Sequence, residues 1–73
     1  MNDLGVILFY TTAAVMRAEK LLIRNSVAVK LIPPPRQFSS DCGIALQFNW
    51  TDNEKISRIL AEAAVEIDSV HRL

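Results

Sequence analysis

At 73 residues, with eight basic and eight acidic side chains and 51% hydrophobic positions, the chain is neutral overall and apolar enough to fold. That balance excludes the concentrated positive charge of a nucleic-acid binder and the composition of a disordered tail. A single cysteine excludes an internal disulfide, and with a single histidine it cannot complete the four ligands of a closed zinc site.

The length predicts one domain, residues 1–73. A domain this small buries only about 60% of its unfolded surface, so self-association is the expected aid to stability. The apolar run 4–16 is not expected to be a signal peptide, because the residues before it carry Asp3 and no Lys or Arg. It is also too short to span a bilayer and is interrupted by Thr11 and Thr12. Asn49-Trp50-Thr51 fits the glycosylation pattern by chance in a chain without a secretory signal. The expected compartment is the reducing cytoplasm, where a lone thiol stays free.

Gly5, Val6, Ile7, Leu8, Phe9 and Tyr10 form a continuous run of apolar residues, the pattern of a central strand. Thr11 and Thr12 offer an N-cap for a helix over 13–24, with Ala14, Ala18, Leu21 and Leu22 on one face and Arg17, Lys20 and Arg24 on another. The basic stripe reads first as a solvated face and second as a docking surface for an acidic partner. Asn25-Ser26 ends the helix. Residues 27–32 alternate as a second strand, with Lys30 suiting a sheet edge. Ile44, Leu46 and Phe48 alternate with Ala45, Gln47 and Asn49 in a third. Thr51-Asp52-Asn53-Glu54 reads as a capping box before a helix whose stripe is Ile56, Ile59, Leu60 and Ala63. Glu54 and Arg58 are spaced to pair on its solvent side. Val65, Ile67 and Val70 make a last strand. Tyr10 and Trp50 are expected in the core or at its rim, and His71 on a frayed surface end.

The order is β-α-β-β-α-β, which predicts an α+β, ferredoxin-like domain with two helices on one face of a four-stranded antiparallel sheet. The other face should be bare. Either Ile7 and Phe9, or Val6, Leu8 and Tyr10, would point outward there, joined by Ala28, Ile32 and Ala45. Such a patch predicts a homodimer or a docked partner.

One stretch fits no regular element. Between the second and third strands run Pro33-Pro34-Pro35-Arg36-Gln37-Phe38-Ser39-Ser40-Asp41-Cys42-Gly43, holding every proline and the only cysteine. Hairpin connections are commonly about 2–5 residues, and longer loops in small domains tend to carry function. The prolines stiffen its entry. Cys42, flanked by Asp41 and Gly43, is expected at the surface, although a lone cysteine is most often a small, inert, partly buried hydrophobe. Arg36 could favour its thiolate while Asp41 opposes it. Ser39, Ser40 and backbone amides could donate hydrogen bonds to a thiolate, a persulfide or a small anion. Gly43 permits a backbone angle that other residues avoid. No Ser/His/Asp set, paired carboxylates or phosphate-binding glycine loop can be assembled, which argues against an enzyme of ordinary type.

This loop resembles the Pro-x-Pro-Arg-x-x-Ser-Ser-x-Cys-Gly signature of the selenium/sulfur carrier protein-like family, formerly a domain of unknown function. The likeness extends over nearly the whole chain, including the first strand, Ala18-Glu19-Lys20-Leu21-Leu22 and Leu31-Ile32. Asp41 falls at the signature's variable position. The resemblance implies a carrier, not an enzyme. Cys42 would hold sulfur or selenium as a persulfide or selenenyl sulfide, and Arg36, Ser39, Ser40 and Gly43 would shape its surroundings. It implies no bound cofactor or metal. Its partners would be a donor such as a cysteine desulfurase and an acceptor protein, with neither nucleic acid nor membrane involved. Two rival readings follow from the residues. One is an interaction or small-ligand-binding module acting through the open sheet face. The other is a redox-sensing thiol, which would lack a resolving cysteine in its own chain.

Overall fold

The computed structural model describes residues 3–38 and 43–73. The elements are β1 (Leu4–Leu8), α1 (Thr12–Arg24), β2 (Val29–Ile32), β3 (Ala45–Asn49), a short 3-10 turn (Trp50–Asp52), α2 (Asn53–Glu62) and β4 (Ser69–Arg72). The sheet order is β2-β3-β1-β4, and every neighbouring pair is antiparallel. This is the ferredoxin-like α+β arrangement expected from the element order.

Strand alternation assigns the two faces. Ile7, Leu46 and Phe48 join Phe9, Val15, Ala18, Leu22, Ile56 and Leu60 in the core between sheet and helices. On α1 the fully buried positions are Val15, Ala18 and Leu22, while Ala14 and Leu21 are only partly buried. The core-facing stripe of the helix is thus centred on Val15, Ala18 and Leu22, with Ala14 and Leu21 at its margin. Ile56 and Leu60 anchor α2, with Ile59 and Ala63 packed beside them, as the stripe predicted. Gly5 stands directly opposite Phe48, and an added Cβ would lie 2.5 Å from the Phe48 ring and 2.7 Å from Trp50.

Both helices end in the same way. Ser26 and Ala64 adopt left-handed φ of 62° and 55°. After α1, Ser26 N donates to Ile23 O and Val27 N to Leu22 O; after α2, Ala64 N donates to Ala61 O and Val65 N to Leu60 O. These paired bonds define Schellman motifs. Each seats a valine, Val27 or Val65, in the core.

Four local expectations need correction. The capping box does not form: Thr51 lies in the 3-10 turn, α2 starts after Asp52, and no side chain caps it. The tighter turn at Trp50–Asp52 moves the helix start past the hydroxyl. Glu54 and Arg58 form no ion pair among the described residues. The last strand is Ser69–Arg72 rather than a run from Val65, because Val65 is consumed by the Schellman turn. Tyr10 is 50% exposed, not in the core, since β1 ends at Leu8 and the chain turns into α1. Trp50 does sit at the rim, half-buried and stacked on Phe48.

The chain ends are tied together. Leu73 N donates to Leu4 O, Trp50 N to Asp3 O, and Arg72 pairs with Asp3 at 2.5 Å while its guanidinium lies 5.8 Å from the Trp50 ring.

Candidate functional site

The face of the sheet away from the helices is read directly from the register. Ile32, Ala45, Leu8 and Ser69 form one row across it, and Lys30, Gln47, Val6 and His71 the next. The long loop leaves β2 at the end of the first row. The element order predicts that this face is bare. Instead Phe38 packs over Val6, Leu8 and Ala45, which are 0%, 2% and 0% exposed and form a second, smaller core. The open face is therefore not a free apolar patch, because the chain covers it with its own loop.

The local chemistry explains how. Pro33 to Phe38 leaves the β2 edge, and its prolines favour an extended path of about 3.1 Å per residue. The opposite edge is three strand spacings away, roughly 14 Å. A turn closed by Phe38 N donating to Pro35 O, 3.0 Å, then brings the Phe38 ring down on the sheet. There it stacks on His71 of β4, with ring centroids 4.0 Å apart and planes inclined at 16°. His71 Nε2 and Ser69 Oγ share a hydrogen bond of 2.9 Å. His71 is thus half-buried in a strand and engaged on two sides, not a frayed terminal residue. Sequence reasoning missed it because its partner is remote in the chain. The usable signal was the alternation of Ser69 and His71 around Val70, which sets both polar side chains on the face opposite the helices.

The predicted site residues fall as follows. Arg36 lies in the turn and is exposed. Gly43 has φ +68°, the unusual angle expected of it, and an added Cβ would meet nothing within 4 Å. It is exposed, and with Leu31, Ile32, Pro33 and Ile44 it lines a shallow depression where the two loop stems face each other. Ser39, Ser40, Asp41 and Cys42 lie outside the described residues. The structure therefore brings Phe38, Ser69 and His71 together under the loop, and holds Gly43 beside Pro33 at its base. Among the described residues, no group of three or more His, Cys, Asp or Glu could hold a metal ion, and no helix is long and apolar enough to cross a membrane.

Comparison with known proteins adds one finding. The sequence matches the family described as "Putative Se/S carrier protein-like" over residues 4–72, a span that includes the entire loop. No curated protein and no solved structure matches it significantly.

Proposed function

Since the chain belongs to the Se/S carrier protein-like family, we propose that it carries sulfur or selenium on Cys42. The observation that supports this most directly is the coincidence of the family span with the loop signature, which contains the chain's only thiol. The transfer balances without a bound cofactor. The Cys42 thiolate attacks the outer sulfur of a donor persulfide, the donor S–S bond breaks, and the donor leaves as a thiolate. Cys42 now holds a persulfide. An acceptor thiolate then attacks its outer sulfur and regenerates the Cys42 thiolate. With selenium in the outer position, the carried form is a selenenyl sulfide.

In this reading Arg36 supplies positive charge near the loop, Ser39 and Ser40 supply hydrogen-bond donors, and Gly43 supplies the turn that starts the return to β3. The partners are a donor of the cysteine desulfurase type and an acceptor protein, in a reducing cytoplasm. The protein is a carrier and not an enzyme. A homodimer through the open face would first need Phe38 to leave its seat on Val6, Leu8 and Ala45, which disfavours that mode of pairing and the binding-module reading with it.

The test is intact-mass spectrometry of the reductant-free protein after incubation with a cysteine desulfurase and cysteine. A gain of one sulfur atom, reversed by reductant and absent in Cys42→Ser, is the expected result. Sulfur relayed equally well by Cys42→Ser would overturn the proposal.

A further inference from the structure

Three of the chain's eight basic residues converge on one cleft. Arg17, Lys20 and Arg24 line it with Leu21 and Ala63, between α1 and the end of α2, in a volume of about 330 Å³. Spacing of three and four residues stacks their side chains along one helix face. Arg24, in the last turn, is favoured there by the helix dipole. Lys20 has no such cause, and like charges at these spacings oppose helix formation. Arg17 is also fixed in place: its guanidinium donates to Ala63 O at the α2 C-cap, 3.0 Å, bridging the two helices. Among the described residues, no acidic side chain lines this cleft; Glu66 borders the neighbouring one, on the other side of Arg17.

We propose that this cleft docks an acidic helix of the protein that exchanges sulfur with this one. The three cations span about 10 Å of helix, a length suited to carboxylates on successive turns of a partner helix, with Leu21 as the apolar floor. A single phosphate is the poorer occupant, because the three charges are spread along the helix rather than gathered on one point, and the cleft offers no helix N-terminus to hold a compact anion. A carrier must meet its partners at a surface, and the assignment of the occupant rests on the carrier reading. The acidic character of the occupant rests on the cleft itself.

The experiment is an amide-shift titration of the full chain with a synthetic amphipathic helix bearing glutamates on one face and leucines beside them. The same peptide with lysines and inorganic phosphate serve as the comparison ligands. The expected result is a saturable shift confined to α1 and the end of α2, weakened by salt and about tenfold weaker in K20E/R24E. K20Q/R24Q should fall between, which separates charge from fold. No saturable shift, a shift elsewhere, unchanged affinity in K20E/R24E, or the same map from phosphate would overturn the docking site. Sulfur loading from glutathione persulfide, a donor too small to need docking, separates the two ideas. Loading retained in K20E/R24E while peptide binding is lost supports the docking site. A wild-type chain that cannot be loaded this way counts against the carrier reading alone, and the peptide titration still decides the docking site.

Discussion

The Phe38 ring stacks on His71 at 4.0 Å although Phe38 follows the strand at one edge of the sheet and His71 belongs to the strand at the other. This one contact straps the first half of the loop across the face that the helices leave uncovered. Truncating Phe38→Ala should cost about 2 kcal/mol of folding stability, from lost apolar burial over Val6, Leu8 and Ala45. His71→Ala should cost less, because it also gives up only the bond to Ser69. In a double-mutant cycle by urea denaturation the two should couple by about 1 kcal/mol. A coupling near zero would mean that the rings are neighbours without mutual support.

Gly5 exists for space. A methyl group at this position would sit 2.5 Å from a Phe48 ring that is itself only 2% exposed. Neither Phe48 nor Trp50 can swing away freely, because they stack on each other with centroids 5.8 Å apart. Gly5→Ala should therefore destabilise the fold by about 1–3 kcal/mol, the usual cost of overpacking, despite the better strand propensity of alanine. An unchanged denaturation midpoint would show that the Phe48-Trp50 pair yields.

Most of the architecture is written in local periodicity, and the sequence is legible to that extent. The alternation of Ile44 to Asn49 and the stripe Ile56, Ile59, Leu60 and Ala63 each decide an element by themselves. What local pattern cannot show is which loop residue lands on which strand. Phe38 lies in a stretch with no period, and its seat depends on a turn at Pro35 and on a β4 that begins later than Val65 suggested. The bare face was inferred by counting layers of regular structure, and a covering loop is invisible to that count. The signature residues Arg36 and Gly43 are legible as types, and Gly43 uses the backbone freedom that its missing Cβ permits, with φ 68°.

Two threonines precede helices, and only one caps. Thr11 Oγ1 accepts from Ala14 N at 3.1 Å from an extended backbone, the geometry of an N-cap. Thr51 sits inside the 3-10 turn, where its hydroxyl makes no cap bond. Thr11→Ala should lower stability by about 1 kcal/mol, and Thr51→Ala by a few tenths at most. Equal losses at the two positions would contradict this assignment, and thermal unfolding of the two variants side by side is sufficient to tell.

Ala64 holds the left-handed position that closes α2, with φ 55°, in a motif where glycine is the usual occupant. An L-residue with a Cβ pays roughly 1–2 kcal/mol for that angle. Glycine would remove the strain but would enlarge the freedom of the unfolded chain, at a cost of about 0.4–1 kcal/mol. The difference favours the folded state, so Ala64→Gly should raise stability by up to about 1 kcal/mol. The side chain is exposed, so little packing is lost in exchange. The bonds from Ala64 N to Ala61 O and from Val65 N to Leu60 O are unaffected by the change. The same substitution at Ala61, inside α2, should instead destabilise by about 1 kcal/mol, the helix-interior cost of glycine. Opposite signs at positions only three residues apart, measured by urea denaturation, would establish that backbone angle governs stability at the end of α2; a loss at both would show that the left-handed turn carries no strain.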